Sequence, residues 1–327
     1  MKKILLFLAA VAALAGCKGG TKTLLPNVSG KAGEIIVVID KDNWEGALGS
    51  EVRALLADEC PYLAQKEPLY SLVNVTPGGF ADLFRVHRNI IMMNVGAQAD
   101  SAGVVYLKDI WAAPQCVIQV SGKTPEECQE QLQKNGKTIQ NAIEQAERNR
   151  VIANTIKYEE RDIAAAVKPS FGGSPHFPIG YKLKKATSSF IWIADDKQYT
   201  MQDILMYRYP VGGEAEPLSE ENLLKHRNEI LKDNVPGMFE GSWMTTSANF
   251  PVQVEYNRYR GRDFAQMRGY WEVENDFMGG PFVSHSFYSR DGSEIIVLDA
   301  FVYAPRYDKR QYLRQVESIL YSWEWAE

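Results

Sequence analysis

One carboxylate stands out among the residues that could do chemistry. Asp299 lies inside the run IIVLDAFVY, in which every neighbour is aliphatic or aromatic. A carboxyl group buried in such a strand loses its hydration, so its pKa rises unless a partner is present. Raised pKa values mark active sites, but buried ion pairs produce the same shift. Candidate partners on neighbouring predicted strands are Arg258, Arg260 and His285. We favour a structural role, either in a buried ion pair or at a strand end facing solvent.

A second candidate is the loop FGGSPHFPIG at residues 171–180, which places Ser174 close to His176. A serine hydrolase needs a base beside the nucleophile, an acid and an oxyanion hole. The sequence contains no G-x-S-x-G elbow, and its four histidines are not spaced as HExxH. We therefore predict a flexible loop and expect neither metal nor cofactor. An envelope hydrolase using Asp299 or His176 is the alternative.

Arginine and aromatic residues are interleaved in VEYNRYRGRDFAQMRGYWEVE, residues 254–274. Both residue types are enriched at protein contacts and can line carbohydrate or aromatic pockets. A half-exposed antiparallel sheet also favours Tyr and Trp at alternate positions, and this structural role is the commoner one. The segment is nevertheless the best candidate binding surface, with Tyr256, Arg258, Arg260, Tyr270 and Trp271 as its members.

The hydrophobic pattern predicts the strands and helices that must position these candidates. The run EIIVVID (34–40) begins a series of five strands and two helices, and Thr124 with Glu127 forms the capping box of the second helix. After residue 188, strands, a helix capped by Ser219 and a four-strand meander lead to a final amphipathic helix. We predict an α+β fold with two halves, each an antiparallel sheet packed on amphipathic helices. The end of the chain resembles the close of Mog1/PsbP-like domains.

The N-terminus has the layout of a signal peptide. Lys2 and Lys3 precede an apolar run over residues 4–14, which is too short to span a bilayer core of about 30 Å. The sequence LAGC at residues 14–17 then resembles the bacterial lipobox, in which the cysteine receives the lipid. An ordinary cleaved signal followed by a chance cysteine is the alternative. We predict that Cys17 is the lipid attachment site and anchors the protein in a membrane.

The chain is thereby divided into five predicted segments. They are a signal peptide (1–16), a lipidated cysteine with its tether (17–33), an N-terminal α+β half (34–150), a connecting segment (151–187) and a C-terminal α+β half (188–327).

Composition and cysteine usage limit the functions available to the chain. A formal net charge of −5 argues against a nucleic-acid partner. The exported chain would retain Cys60, Cys116 and Cys128. Because three is odd, at least one thiol stays unpaired or bonds elsewhere. No CxxC pair occurs, so zinc and thioredoxin-type chemistry are disfavoured. We favour three small apolar core residues, and the sequence leaves disulfide pairing open.

Two blocks carry a family resemblance: LLPNVSGKAGEIIVVIDKDNWEG (24–46) and AFVYAPRYDKRQYLRQVESIL (300–320). They resemble a family of Gram-negative, Bacteroides-type lipoproteins catalogued as a domain of unknown function, number 4837. The resemblance implies an envelope lipoprotein and supplies no catalytic residue. Surface lipoproteins of such bacteria carry acidic residues after the lipidated cysteine, whereas here KGGTK follows. This implies anchoring in the outer membrane, facing the periplasm.

The triplet Asp100-Ser101-Ala102 resembles the O-glycosylation acceptor of the same bacteria, which makes Ser101 a candidate glycosylation site. A chance triplet in a surface loop is the alternative. The leading interpretation is thus a membrane-anchored envelope lipoprotein that acts as a non-catalytic binding or scaffold module. Its expected partners are the membrane, through the lipid, and an unidentified envelope protein or glycan.

Overall fold

The computed structural model describes residues 24–326, and these fold around one five-stranded and one eight-stranded sheet. The predicted signal peptide and Cys17 lie outside the described residues. No helix within the described range is long and apolar enough to cross a membrane. Helices pack against both sheets, which confirms the predicted α+β class.

The first sheet has the strand order β2-β1-β3-β5-β4. Its elements are β1 (Glu34–Val38), α1 (Lys41–Glu45), α2 (Ala47–Leu56), β2 (Ser71–Val75), α3 (Asp82–Arg85), β3 (Asn89–Val95), β4 (Gly103–Lys108), β5 (Cys116–Gly122) and α4 (Pro125–Lys157).

The direction of the strands in this sheet differs from the prediction. The pairs β1–β2, β1–β3 and β3–β5 are parallel, and only β4–β5 is antiparallel. Helices α1 and α2 lie between β1 and β2, and α3 lies between β2 and β3. Such crossovers return the chain to the same end of the sheet, whereas a tight hairpin would reverse it. Strand spacing alone could not distinguish these connections.

Ile35 to Val38 of β1 are all apolar because both faces of this strand are buried. Ile35 and Val37 pack in the core under α2 and α4, and Ile36 and Val38 pack around Phe80 on the other face. Two covered faces are typical of parallel strands. Each fully buried aliphatic side chain contributes about 1.5–3 kcal/mol.

The second sheet has the strand order β10-β12-β13-β14-β9-β8-β7, all pairs antiparallel, and β11 also pairs with β12. The predicted connecting segment contains the end of α4, helix α5, β6 and β7. The elements are α5 (Arg161–Phe171), β6 (Gly173–Ser174), β7 (Lys182–Ala186), β8 (Phe190–Lys197), β9 (Thr200–Pro210), α6 (Glu220–Asn234), β10 (Met244–Thr246), β11 (Gln253–Tyr259), β12 (Arg262–Val273), β13 (Gly279–Tyr288), β14 (Glu294–Tyr303), α7 (Arg310–Tyr321) and β15 (Glu324–Trp325).

Helices cover both faces of the second sheet, so its central strands are also apolar on both sides. On β14, Ile296 and Leu298 face the core formed with α5 and α7. Ile295 and Val297 face the core formed with α6. Side chains alternate between the two faces along a strand, and this alternation decides which candidate residues can meet.

Buried polar contacts join the two halves. The Glu67 carboxylate accepts hydrogen bonds from the backbone N–H groups of Lys309 (2.7 Å) and Arg310 (2.9 Å), where α7 begins. Arg314 of α7 donates to Glu144 of α4 at 2.5 Å. Free backbone N–H groups at a helix N-terminus favour an anion, so Glu67 from the first half caps a helix of the second.

All three cysteines in the described range are free thiols. Cys116 and Cys128 are buried and Cys60 is half-buried. Burial raises the pKa of each thiol to about 11, which keeps it protonated at neutral pH.

Candidate functional site

A small pocket lies at the end of the second sheet where β11 turns into β12. Arg260 and Gly261 form the two-residue turn, and both have positive φ angles (47° and 81°). This is the geometry of a tight hairpin, in which Gly is readily accommodated. The pocket has a volume of about 140 Å³. We call it the arginine–aromatic pocket, and its lining residues are Tyr259, Arg260, Gly261, Arg262, Tyr321, Trp323 and Trp325.

The C-terminal segment supplies the aromatic wall of the pocket. Helix α7 ends at Tyr321, and β15 then pairs with β6 through Trp325 and Gly173. The ring centroids of Trp323 and Trp325 are 5.3 Å apart in an edge-to-face arrangement. A Cβ on Gly173 would lie 2.5 Å from the Trp323 ring, so only glycine allows this approach.

Arg262 and Trp323, which both line this pocket, each hold a buried hydrogen-bond donor without a partner. The Nη2 of Arg262 donates to the Leu320 carbonyl at 3.1 Å, but its buried Nη1 has no partner among the described residues. The indole Nε1 of Trp323, a residue only 8% exposed, also lacks one. Burial lowers the pKa of Arg262 to about 10, so the side chain stays charged at neutral pH. A buried cation without an anion is costly, and a bound anion would remove that cost.

Further arginines make the surroundings of the pocket positive. The guanidinium carbon of Arg148 lies 3.4 Å from the Tyr321 ring centroid, and that of Arg290 lies 5.3 Å from the Trp325 ring centroid. Among the described residues, Arg148, Arg290, Arg260 and Arg262 form no ion pair with a carboxylate. Arginines elsewhere in the chain, such as Arg227 and Arg314, do form such pairs. Uncompensated cations around aromatic walls favour an anionic ligand with a flat ring.

Asp299 lies in the core, far from any solvent. Its Oδ2 accepts a hydrogen bond from Arg227 Nε at 2.6 Å, and both side chains are fully buried. The guanidinium of Arg227 also donates to Thr246 (2.6 Å) and stacks on Phe282, 3.6 Å from the ring centroid. Burial raises the pKa of Asp299, and Arg227 opposes that shift. The predicted partners Arg258, Arg260 and His285 are replaced by an arginine from α6.

His285 is placed on the other face of the sheet from Asp299. Ser284 is the residue opposite Asp299 in the strand register, so the neighbouring His285 points the other way. Its ring lies 4.3 Å from Phe264 and 4.6 Å from Tyr321, and neither ring nitrogen has a partner. Burial, together with Arg262 and Arg148, lowers the pKa of His285 well below its usual value. The neutral ring packs behind the pocket, and the fold does not bring it to Asp299.

His176 is held by glutamates rather than by a nucleophile. Its Nδ1 lies 2.5 Å from Glu159, and its Nε2 lies 3.3 Å from Glu324. The hydroxyl of Ser174 donates to the Pro175 carbonyl and makes no contact with the imidazole. The loop therefore lacks the serine–histidine hydrogen bond that acyl transfer requires.

The structure divides the predicted binding surface among three places. Tyr256 (70% exposed) and Arg258 lie on the exposed face of the edge strand β11, opposite the face that carries Arg262. Tyr270 stacks on Phe250, and only Arg260 lines the pocket. Trp271 is 1% exposed and packs in the core, so its inclusion in a surface was wrong. Along β12, Ala265, Met267 and Trp271 share one face of the strand, and that face packs against α6 instead of solvent.

Ser101, the predicted glycosylation acceptor, lies in an exposed loop between β3 and β4. Its two neighbours in the triplet, Asp100 and Ala102, are exposed as well.

The sequence did not predict the pair of carboxylates formed by Asp196 in β8 and Asp203 in β9. Asp203 is fully buried and accepts a hydrogen bond from Trp192 Nε1 at 2.7 Å. Lys184 lies 2.8 Å from Asp196 and 3.7 Å from Asp203. Burial and the neighbouring Asp196 raise the pKa of Asp203. The alternating pattern of FIWIAD had indicated a strand but not the buried acid that follows it.

Most residues of the pocket were also missed, although the sequence holds two signals for them. The dipeptide Arg260-Gly261 between two strand-like runs predicts a hairpin turn. At the end of the chain, YSWEW places aromatic rings at every second position from Tyr321 to Trp325. Such alternation puts the rings on one face of an extended segment. Only the fold shows that the turn and the aromatic segment meet.

The chain matches two domains of unknown function. Residues 160–322 match the domain of unknown function DUF4837, and residues 28–155 match the domain of unknown function DUF8532. The boundary between the two matches falls where α4 ends and α5 begins. No curated protein matches the sequence significantly.

Solved structures similar to the chain include the Ran-binding protein Mog1p of Saccharomyces cerevisiae. It is 7% identical, with a TM-score of 0.31, and the match covers 47% of this chain and 89% of that one. A mutant of protein Mog1 matches at 7% identity and a TM-score of 0.30, covering 47% and 90% of the two chains. Human STARD10 matches at 7% identity and a TM-score of 0.24, covering 50% and 80%. At these TM-scores the similarity supports no functional conclusion.

Proposed function

We propose that this chain is a lipid-anchored protein of the bacterial cell envelope that binds an organic anion in the arginine–aromatic pocket and does not act as an enzyme. The observation that carries the proposal is the pair of buried, unpaired donors, Arg262 Nη1 and Trp323 Nε1, on two residues that line one aromatic pocket. A buried donor without a partner costs free energy, and a ligand that accepts hydrogen bonds would remove that cost at both positions. Asp299 and His176 are occupied by structural partners, so neither supports the hydrolase alternative.

The expected ligand is a carboxylate attached to a six-membered ring. A cavity of about 150 Å³ accommodates benzene, and the pocket has a volume of about 140 Å³. The carboxylate would accept hydrogen bonds from Arg262 and Trp323, and the ring would lie against Tyr259, Tyr321 or Trp325. An aromatic acid and an acidic sugar share this chemistry, and the experiment below separates them.

The test is a titration of the chain from residue 17, carrying Cys17→Ser, with benzoate, glucuronate and benzamide. Benzamide has the shape of benzoate without its charge. Benzoate or glucuronate should change the tryptophan fluorescence saturably, and whichever binds identifies the ring class. Benzamide should bind at least tenfold more weakly, because a hydrogen bond to a charged group contributes about 1.5–3 kcal/mol.

Variants of the pocket assign the binding to these residues. Arg262→Gln should weaken benzoate binding about tenfold or more. Arg260→Asn tests the pocket without changing a buried side chain. Asn is the replacement at position 260 because it tolerates the positive φ angle of the turn. Arg258→Gln is the matched control, because this exposed arginine lies on the other face of the sheet. Equal binding by wild type and both pocket variants, or no saturable binding of either acid, would refute the proposal.

The membrane anchor is proposed from the lipobox-like LAGC sequence and from the family resemblance. Lipidation at Cys17, with the protein held in the outer membrane and facing the periplasm, fits the absence of acidic residues in KGGTK. A Cys17→Ala variant should lose acyl labelling and membrane fractionation. If it sediments with the membrane as wild type does, lipidation is not the anchor. Glycosylation at Ser101 belongs to the same proposal, and a Ser101→Ala variant should lose the glycan mass.

A further inference from the structure

Two adjacent loops carry exposed apolar side chains at the end of the second sheet that lies opposite the pocket. Residues 237–242 precede β10 and residues 274–278 join β12 to β13; together we call them the acidic tip. The Glu274 N–H donates to the Trp243 carbonyl at 2.9 Å, which holds the two loops side by side. Phe277, Met238 and Phe239 are 106%, 80% and 61% exposed. Large apolar side chains clustered at such exposure mark an interaction site.

The acids around this tip have no cationic partners. Glu240, Glu274 and Asp276 lie within the tip and Glu272 lies at its base, and none forms an ion pair among the described residues. In the sequence ENDFM, Glu274 and Asp276 lie close to Phe277. Asp276 Oδ1 accepts a hydrogen bond from the Phe277 N–H at 2.6 Å, and Glu274 is exposed. A partner for this surface needs an apolar cavity with unpaired cations around it. The arginine–aromatic pocket of the same chain has both properties.

We propose that the acidic tip of one copy of this chain inserts Phe277 into the arginine–aromatic pocket of a second copy. This inference rests on the proposed function, because it names a protein group that meets the same ligand chemistry. A phenyl ring matches the pocket's volume, and carboxylates beside it can pair with Arg260 and Arg262. The tip and the pocket are complementary in charge, which favours association and selects the orientation.

The fold prevents a copy from filling its own pocket. Arg262 begins β12 and Val273 ends it, just before the acidic tip. Twelve residues at about 3.4 Å each separate the two sites by roughly 35–40 Å. A contact between different surfaces of identical copies is head-to-tail, so it can continue from copy to copy. The tip is small, so the association should be weak. Because it depends on pairing between exposed charges, it should also be sensitive to salt.

The test is sedimentation equilibrium of the chain from residue 17, carrying Cys17→Ser, over a range of protein concentrations. The cores of both halves lie between residues 35 and 323, so this chain retains them. Wild type should form species larger than dimers as its concentration rises. Phe277→Ser should remain monomeric because it lacks the tip, and Arg262→Gln or Arg260→Asn because the pocket is weakened. Ile179→Ser, which removes an apolar side chain 74% exposed elsewhere, should assemble as wild type does.

Mixing the variants gives the sharpest result. An equimolar mixture of Phe277→Ser and Arg262→Gln contains one intact pocket and one intact tip per pair, so it should form dimers and nothing larger. Saturating benzoate should dissociate the wild-type assembly. A monomeric wild type, or a mixture that stays monomeric, would overturn the inference. So would a Phe277→Ser variant that assembles normally but binds lipid vesicles less well, since the tip would then contact membrane.

This design separates the two proposals. Phe277→Ser retains its own pocket and should bind benzoate as wild type does, at protein concentrations where wild type is monomeric. If wild type binds benzoate but never associates, the self-association is refuted and the binding function stands. If benzoate does not bind at all, the proposed function fails as well.

Discussion

The buried pair Arg227–Asp299 gives the most quantitative prediction of the structure. Asp299→Ala removes both carboxylate oxygens that face the guanidinium, at 2.6 and 3.5 Å. Arg227 is then left fully buried, with Thr246 and the Phe282 ring as its remaining favourable contacts. Removing one partner of a buried ion pair costs about 3–5 kcal/mol. Because domains are stable by only about 5–15 kcal/mol, we expect a large loss of stability.

The more conservative variant and the double variant define the mechanism of that loss. Asp299→Asn keeps the shape and one acceptor, so it should cost less, about 1.5–3 kcal/mol for the lost charge-assisted hydrogen bond. Replacing both residues, as Arg227→Met with Asp299→Leu, leaves no unpaired charge. Such replacements are often neutral or stabilising. We therefore expect the double variant to be at least as stable as Asp299→Ala, although it changes more atoms.

Urea unfolding measures these differences as changes of the midpoint at constant slope. Benzoate binding by each folded variant is the second measurement, and it should equal that of wild type because Asp299 lies on the face opposite the pocket. A loss below about 1 kcal/mol for Asp299→Ala, or a double variant that is less stable than Asp299→Ala, would refute a coupled buried pair. A folded Asp299→Asn variant that loses ligand binding would show that Asp299 has a functional role.

Two further predictions concern other carboxylates. Burial raises the pKa of the Asp203 carboxyl group. The unfolded chain therefore releases the carboxyl proton at a lower pH than the folded chain does. As a consequence, the contribution of Asp203 to stability falls as pH rises above about 4. In thermal unfolding at a series of pH values, Asp203→Asn should therefore gain stability relative to wild type as pH rises, and a difference independent of pH would contradict this. Glu67→Ala should cost about 1–3 kcal/mol in urea unfolding, because the Lys309 and Arg310 N–H groups lose their acceptor. The exposed Glu59→Ala is its control and should change stability by less than about 0.5 kcal/mol, so equal effects would exclude the capping role.

The sequence predicted the elements well where hydrophobic period and capping residues coincide. The box at Thr124 begins α4, with the Glu127 N–H donating to the Thr124 hydroxyl, and Ser219 caps α6 in the same way. The meander from residue 252 to 304 appears as β11 to β14. These features depend on local spacing, and local spacing is written directly in the sequence.

Strand direction and the identity of partners depended on distant residues. The parallel pairing of β1 with β2 and β3 follows from how crossover helices pack, which period alone cannot reveal. The partner of Asp299 is Arg227, 72 residues earlier on a helix, and no spacing rule connects them. The pocket likewise joins a hairpin turn at Arg260 to an aromatic segment that ends about 65 residues later at Trp325.

The central claim is that the unpaired donors of Arg262 and Trp323 bind a carboxylate on a ring. A titration of wild type, Arg262→Gln and Arg258→Gln with benzoate and benzamide tests it most directly. We predict saturable benzoate binding to wild type and Arg258→Gln, at least tenfold weaker binding to Arg262→Gln, and equally weakened binding of benzamide to wild type. If benzoate and glucuronate both fail to bind wild type, or if Arg262→Gln binds benzoate as tightly as wild type, the account is contradicted.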